Sequence, residues 1–457
     1  MEERIFHHME CLSESRSIKA IDIYEKLFDK NKRCDKRHLE SAVQRFILLN
    51  KRVFSFLGIE TELSGTGSDL SLKFRSSNFI GSVPVRMPYD GIAHKDFQVT
   101  PRFDSSNNIY SNLTQLLSKL NYSISPEFID SEKLTQPLLL RPPMYYEAAK
   151  YIDIFERSCK VNWVKFEVVQ AEHRFPKSST NWSKYAQASS DPRKALRYIS
   201  SDSILSKNHR EWQELKYVFE KACSIILQPH VPGSIRYKFL DRMDSLKRKT
   251  ASITPQQTNY IAIRASDPFY IKEVKQQANI LLQNSFTFSV AAWRMDMAQL
   301  FERYVQYITT MAAKGRNASV KVNSRIRGRG NMPQWGLRYL EPDLLIKMND
   351  KIIMADAKYK AHNYAFHTKS DVLKESHRSD LHQILAYCSF SPEKDKTGIL
   401  FYPSNDTRIR KIQYTEQLCG ISNKILLCGL PFGIDGIDSS IKFVRDILTE
   451  EDSVQLV

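Results

Sequence analysis

Several features that would assign the chain to a common class are missing from its sequence. Its seven cysteines are scattered and form no Cys-x-x-Cys pair, which argues against a zinc module and for reduced thiols. No apolar run is long enough to span a bilayer, and the first residues contain no signal-peptide apolar segment. The stretch Gly65-Thr66-Gly67 lacks the lysine and the spacing of a phosphate-binding loop. These absences predict a cytoplasmic protein without a membrane partner and without a nucleotide motor of its own.

Acidic residues are also scarce relative to basic ones. The chain has 67 Lys and Arg against 51 Asp and Glu, which gives a formal net charge of +16. An excess of this size favours a polyanionic partner, because neutralising phosphates is its usual use. Charge alone does not specify nucleic acid, since basic proteins also bind ribosomes and acidic lipids.

Length and composition indicate a globular protein of two or three domains. The 457 residues are 42% hydrophobic and 26% charged, which leaves ample chain for a buried core. We predict an α/β (α+β) fold with an N-terminal α/β domain at 1–125 and a mainly helical middle region at 126–275. Residues 276–457 follow the order helix, hairpin, helix, strand, strand, which predicts a mixed sheet flanked by helices.

One stretch of this last region carries the strongest chemical signal. Two apolar runs, 344–346 and 352–354, flank an Asn-Asp turn and predict a tight β-hairpin. Asp343 begins the first strand, while Asp356 and Lys358 end the second and share one face of it. A surface hairpin with solvated charges is the structural alternative. If the strands bring the aspartates together, they form a paired carboxylate site beside an ammonium group.

Such a site suits Mg²⁺, which proteins hold with one or two carboxylates plus water and substrate phosphate. Mn²⁺ is expected to be tolerated in its place. The metal would lower the pKa of bound water and neutralise charge on a phosphodiester, while Lys358 would orient the attacking water. These residues resemble the PD-(D/E)xK nuclease motif, with Pro342-Asp343 as its first half and Asp356-Ala357-Lys358 as its second.

The helix predicted over Val290–Lys314 precedes the hairpin, and Glu302 lies on it beside the buried apolar stripe. The resemblance to a PD-(D/E)xK site implies a role for Glu302, since such sites use an acidic residue on the helix before the hairpin as an additional metal ligand or water anchor. The alternative is a surface glutamate paired with Arg303 or Arg294, and the spacing favours neither.

A basic, glycine-bearing segment lies between this helix and the hairpin, and it contains no acidic residue between Lys314 and Arg338. Such a segment would grip a nucleic-acid backbone, and its tryptophan could stack on a base. A solvated loop is the alternative. The candidate DNA-binding residues are Lys321, Arg325, Arg327, Arg329, Trp335 and Arg338.

Beyond the hairpin, a helix is predicted to start with Ser379 as its N-cap. Gln383 and Tyr387 are four residues apart and therefore share a face of this helix. His362, His367 and His377 lie nearby, but their irregular spacing predicts loop residues and no zinc site.

The C-terminal region is similar to the McrC family and its LlaJI-like relatives of restriction endonuclease subunits. The similarity covers roughly residues 285–405. It rests on the motifs Asp296-Met297-x-x-Leu300-Phe301-Glu302, Pro342-Asp343, Asp356-Ala357-Lys358-Tyr359-Lys360, Asp380-Leu-x-Gln383-x-Leu-x-Tyr387 and Gly398-Ile-Leu-x-Tyr402-Pro403.

The resemblance implies a PD-(D/E)xK restriction-endonuclease-like domain that cuts DNA and works with a separate AAA+ NTPase similar to McrB, within an oligomeric complex. It further implies Asp343, Asp356 and Glu302 as metal ligands, Lys358 as a catalytic residue, and Gln383 and Tyr387 beside the carboxylates. Two alternatives stay open: a non-catalytic DNA-binding or motor-activating subunit, and a stand-alone RecB-like repair or transposon nuclease. The sequence does not determine the recognition sequence, the number of metal ions, or whether the N-terminal domain binds DNA or the motor.

Overall fold

The structure, a computed structural model, describes most of the chain with gaps. The described residues are 5–15, 18–19, 39–66, 69–102, 109–121, 124, 126–135, 144–194, 196–229, 231, 233–284, 291–316, 318–328, 334, 338–348, 351–363, 371–415 and 420–449.

The chain folds into two compact units. One consists of Met1–Pro142 with Ser289–Val457, and the other is Pro143–Phe288. The three-part division made from the sequence therefore separates two segments that belong to one unit. That the three regions have separate functions stays a prediction.

The N-terminal segment of the first unit is mainly β. Its described elements are β1 (Ile5–Glu10), β2 (Ile18–Lys19), α1 (Leu39–Leu57), β3 (Ile59–Ser64), β4 (Ser71–Ser76), β5 (Phe79–Arg86), β6 (Ala93–Thr100), α2 (Ile109–Lys119) and β7 (Glu127–Lys133).

The second unit is mainly helical and also contains an antiparallel two-stranded ribbon. Its described elements are α3 (Met144–Ser158), β8 (Lys165–His173), α4 (Trp182–Ala188), β9 (Tyr198–Ser206), α5 (Arg210–Ile226), α6 (Gly233–Lys249) and α7 (Phe269–Asn284). The prediction of a mainly helical middle region did not include this ribbon.

The C-terminal segment returns to the first unit and alternates strands with helices. Its described elements are β10 (Ala291–Asp296), α8 (Met297–Ala313), β11 (Ala318–Val322), β12 (Ile326–Arg327), β13 (Tyr339–Leu340), β14 (Leu344–Met348), β15 (Lys351–Ala357), a short 3₁₀ turn (Ala361–Asn363), α9 (Asp371–Cys388), β16 (Asp395–Ser404), β17 (Arg408–Thr415), β18 (Ser422–Pro431) and α10 (Ile437–Thr449).

Two larger sheets organise the first unit. The five-stranded sheet has the order β1-β6-β5-β10-β7, and the six-stranded sheet has the order β11-β14-β15-β16-β18-β17. In the second sheet β15, β16 and β18 are parallel to one another, whereas β11, β14 and β17 join antiparallel to their neighbours. The prediction of an α/β fold with a mixed C-terminal sheet flanked by helices is confirmed.

The helix expected to start at Val290 starts later. Residues 291–296 instead form β10, which pairs antiparallel with β5 and β7 in the N-terminal sheet. Asp296 ends this strand and caps α8, because its Oδ1 accepts hydrogen bonds from the backbone N–H of Ala298 (2.8 Å) and Gln299 (3.4 Å). The prediction was wrong for these first residues, since strand pairing with a distant part of the chain overrides their helical spacing.

The five cysteines that the structure describes are all free, as the scattered spacing predicts. In the described part of the chain, no helix combines the length and apolarity needed to cross a membrane.

Candidate active site

The two hairpin aspartates face each other across neighbouring strands. β14 and β15 pair antiparallel, with Leu344 opposite Ala355 at the end of the ladder. One further step of this register places Asp343 opposite Asp356, with both side chains on the same face of the sheet. The backbone N–H of Ala357 donates to Asp343 Oδ2 at 2.7 Å, which fixes that carboxylate against the partner strand.

Lys358 adds a positive charge at the same point. It follows β15 two residues after Asp356, and its ammonium forms an ion pair with Asp356 Oδ2. Its backbone N–H donates to the carbonyl of Phe401 in β16 at 2.8 Å, so the main chain is held where the strand ends. The three predicted residues are thus brought together by three adjacent strand segments.

Burial and mutual repulsion set the charge state of this cluster. Burial is the largest effect on Asp343, and together with the charge of Asp356 it raises the pKa of Asp343 to about 7. Burial likewise raises the pKa of Asp356, although Lys358 opposes this shift. Burial alone would lower the pKa of Lys358, but the Asp356 carboxylate outweighs it and leaves that pKa raised. The site therefore holds more negative charge than its one ammonium group offsets.

Glu302 lies in the first turns of α8 and is held by amide side chains. Its Oε1 accepts from Gln306 Nε2 at 2.8 Å and from Asn323 Nδ2 at 3.3 Å. Asn323 also donates its backbone N–H to the carbonyl of Asp343 at 3.1 Å, which connects the helix to the start of the hairpin. The Glu302 charge contributes to the raised pKa of both Asp343 and Asp356, as expected for a carboxylate beside the pair.

The alternative interpretation of Glu302, as a surface glutamate, requires an ion pair with Arg294 or Arg303. Arg294 pairs instead with Glu127, with 2.7 Å between Nη2 and Oε2. Arg303 donates to Gln306 Oε1 at 2.8 Å. Neither arginine therefore supports the surface-pair interpretation.

Gln383 and Tyr387 lie on α9, which packs against β15 and β16. Gln383 Nε2 donates to Tyr387 Oη at 2.7 Å, and this hydroxyl donates to the carbonyl of Glu341 at 3.4 Å. Burial is the main cause of the raised pKa of Tyr387, and both hairpin aspartates add to it. The helix starts at Asp371, so the predicted N-cap at Ser379 is wrong and Ser379 is an exposed residue within the helix.

Asp380 lies beside the site, although its place in a sequence motif did not predict a role for it. It is 2% exposed and accepts from Lys360 Nζ at 2.6 Å and from Tyr402 Oη at 3.0 Å. Its charge acts on the pKa of Asp356 and of Lys358, so it lies beside the hairpin cluster. The available signal was an aspartate three residues before Gln383, on the same side of the helix.

The basic segment is only partly described. Lys321 is exposed on β11, and Arg327 and Arg338 are exposed on or beside the ribbon that β12 forms with β13. Arg325 forms an ion pair with Glu341, with 3.1 Å between Nε and Oε2. The interpretation of the segment as free of counter-charge was therefore wrong for this arginine, because the acidic partner lies just beyond the segment considered. The other two candidates, Arg329 and Trp335, lie outside the described residues.

The histidines near the site are engaged in other contacts. His362 Nε2 lies 3.2 Å from the carbonyl of Leu373, and His377 Nδ1 lies 3.4 Å from Tyr402 Oη. Burial lowers the pKa of both imidazoles. His367 lies outside the described residues.

Within the described ranges, no group of three or more His, Cys, Asp or Glu side chains is arranged to hold a metal ion. Asp343, Asp356 and Glu302 are thus not a closed set of metal ligands. Mg²⁺ normally takes only one or two protein carboxylates and completes its shell with water and phosphate. Two facing carboxylates with raised pKa values fit such an ion, because it would supply the positive charge that Lys358 alone does not.

Comparison with known proteins agrees with the motifs. Residues 187–403, slightly under half of the chain, match the family model described as McrBC 5-methylcytosine restriction system component. No curated protein matches the chain. The predicted resemblance to a subunit of a McrBC-type restriction system is confirmed at this level.

Two solved structures, both from Thermococcus gammatolerans, are distantly similar. One is a half-complex of McrB AAA+ hexamers with bound McrC, with 13% identity, a TM-score of 0.46, and coverage of 97% of this chain and 99% of the other. The second is the McrBC complex, with 14% identity, a TM-score of 0.27, and coverage of 68% and 89%. Likenesses this weak do not assign a function.

Proposed function

We propose, from the match to McrBC restriction-system components, that this chain is the metal-dependent DNA endonuclease subunit of a phage-defence restriction system. The observation that carries the proposal is the register of the hairpin, which sets Asp343 against Asp356 with Lys358 beside them. Paired carboxylates next to a lysine are suited to hydrolysing a phosphodiester and have no evident structural use, since their burial is unfavourable.

Each site residue has a distinct task in this proposal. Asp343 and Asp356 would hold Mg²⁺, or Mn²⁺ in its place, and Glu302 would complete the shell or hold a water molecule. The bound ion supplies charge neutralisation and acidifies water. Lys358 orients the attacking water through an ammonium that Asp356 already holds in place.

The surrounding residues would hold the substrate. Gln383 and Tyr387, joined by a hydrogen bond, orient groups next to the carboxylates. The exposed side chains of Lys321, Arg327 and Arg338 would contact DNA phosphates, whereas Arg325 is already paired with Glu341.

A separate AAA+ NTPase, similar to McrB, is the proposed protein partner, and cutting would take place in a cytoplasmic oligomeric complex. The matched family is that of McrBC restriction systems. The chain's own sequence contains no phosphate-binding loop, so any nucleotide-driven movement along DNA requires another subunit.

The test is a plasmid-cleavage assay with Mg²⁺ and then with EDTA, each with and without a candidate McrB-like AAA+ NTPase. We expect cutting that needs both Mg²⁺ and the NTPase and that Asp356→Ala abolishes. Asp395→Ala is the matched control, because Asp395 is exposed at the opposite end of the same sheet. Absence of cutting under every condition would favour the non-catalytic subunit, and cutting without NTPase would favour the stand-alone nuclease.

A further inference from the structure

A second aspartate and lysine pair, of which only the aspartate is buried, lies next to the hairpin cluster. Lys360 donates to Asp380 Oδ1 at 2.6 Å, and Tyr402 donates to Asp380 Oδ2 at 3.0 Å, so both carboxylate oxygens are used. The Asp380 side chain is 3% exposed, whereas that of Lys360 is 33% exposed. The carboxylate is therefore sealed inside, while part of the lysine remains open to solvent.

The main chain brings this second lysine close to the first. The backbone N–H of Lys360 donates to the carbonyl of Lys358 at 2.9 Å, which closes a tight three-residue turn at the end of β15. Tyr359 between them is 7% exposed and contacts the rings of Phe301 and Phe432. The turn is thus anchored by its central residue, and the two lysines are held on either side of the anchor.

The remaining contact of the Lys360 ammonium is weak. It lies 3.4 Å from the carbonyl of Ser376 in α9, near the upper limit for a hydrogen bond. A lysine that is fixed by one buried carboxylate, and still one-third exposed, retains donor capacity for an anion arriving from solvent. Placing a buried acid behind an exposed ammonium costs desolvation, and a purely structural pair would be replaceable by apolar residues.

We propose that Lys360 is a second phosphate-binding residue of the site, held in position by Asp380 and Tyr402. It contacts a DNA phosphate beside the one that is cut, while Asp380 holds the Lys360 ammonium in place and is a positioning residue. This inference rests on the proposed function, because it assumes a DNA substrate at the hairpin carboxylates.

The first test measures DNA affinity against salt concentration, in Ca²⁺ to prevent cutting. Neutralising one phosphate contributes about 0.9 to the slope of log affinity against log salt. We expect Lys360→Met to reduce this slope by about one and Lys360→Arg to restore most of it. Lys347→Met is the control, since Lys347 is an exposed lysine in β14 of the same sheet, and its slope should match the wild type.

The second test is a double-mutant cycle on Mg²⁺-dependent cleavage. Asp380→Asn and Tyr402→Phe should each slow cleavage in the wild-type protein and have little further effect in the Lys360→Met background. Tyr402→Phe removes only a hydroxyl, so it remains informative if Asp380→Asn fails to fold.

An unchanged salt slope in Lys360→Met, or fully additive effects in the cycle, would overturn the inference while wild-type cleavage stands. Failure of the wild type to cleave would instead overturn the proposed function.

Discussion

Asp343 and Asp356 lie directly opposite each other, one step beyond the last paired residues of the hairpin ladder. Asp343 accepts a hydrogen bond from Ala357 at 2.7 Å, and Asp356 is paired with Lys358. Two carboxylates on one face therefore share one ammonium. That imbalance determines how the site should respond to pH, to metal and to substitution.

Stability without metal should depend on Asp343. Its pKa is raised from 3.8 to about 7, so the folded state binds this proton more tightly than the unfolded state does. Ionisation of Asp343 therefore lowers the free energy of unfolding. This loss of stability is absent below about pH 4, grows between about pH 4 and 7, and is constant above pH 7. We expect Asp343→Asn to raise the thermal midpoint in EDTA by at least about 2 °C at pH 7.5, and by much less at pH 4.5.

Scanning calorimetry at both pH values measures this difference. Added Mg²⁺ should stabilise the wild type at pH 7.5 and leave Asp343→Asn nearly unaffected. Equal midpoints of the two proteins at pH 7.5 in EDTA would contradict the prediction.

Substitutions of Asp356 and Lys358 should both reduce cleavage but should differ in their effect on the free energy of unfolding. Asp356→Asn removes a carboxylate that would bind the metal, so cleavage should be lost. It also removes one of the repelling charges of the site, so the free energy of unfolding should change little. Lys358→Met removes the ammonium that offsets both carboxylates and leaves Asp356 without its partner, so it should lower cleavage by about 10²–10³-fold and stability by roughly 1–3 kcal/mol. Urea unfolding at pH 7.5 in EDTA, run beside the plasmid assay, compares the two. An equal loss of stability in both variants would show that the Lys358 ammonium does not offset the charge of the two carboxylates.

Glu302→Gln tests the third carboxylate. The substitution keeps an oxygen that can accept from Gln306 and Asn323, so the local structure should survive. Loss of its charge should lower cleavage by about 10–100-fold, as for outer ligands of other metal sites, and weaken Mn²⁺ binding in a calorimetric titration. Glu62→Gln, at an exposed position in β3, serves as the control. Wild-type cleavage by Glu302→Gln would remove Glu302 from the site.

Gly398 should be intolerant of a side chain because α9 packs closely on β16. A Cβ at this position would lie 2.8 Å from Ile384 Cγ1 and 2.9 Å from Cys388 Sγ. We expect Gly398→Ala to cost about 1–3 kcal/mol through overpacking and to slow cleavage, since the same helix carries Gln383 and Tyr387. The control is Gly233→Ala, where the added methyl group would lie 3.6 Å from the nearest atom, in the Tyr237 ring. Similar unfolding midpoints for the two variants would contradict the packing argument.

The hairpin and its charged ends could be predicted from the sequence because they depend on local information. Asp343 and Asp356 are joined by a short connection, and alternation along each strand places Asp356 and Lys358 on one face. The buried stripe of α8, which includes Leu300, Phe301 and Tyr304, follows equally from local periodicity. The ordered series of motifs was enough to indicate the restriction-subunit resemblance.

Tertiary structure alone decided the rest, because it depends on residues far apart in the chain. Pairing of β10 with β5 turned a predicted helix start into a strand. Asp380 acquired its role from Lys360 and Tyr402, each about 20 residues away, and Arg325 acquired its counter-charge from Glu341. The raised pKa of Asp343 likewise comes from burial, which local spacing does not specify. The sequence thus determined which chemical groups are present, whereas the packing of distant segments determined their charge and their partners.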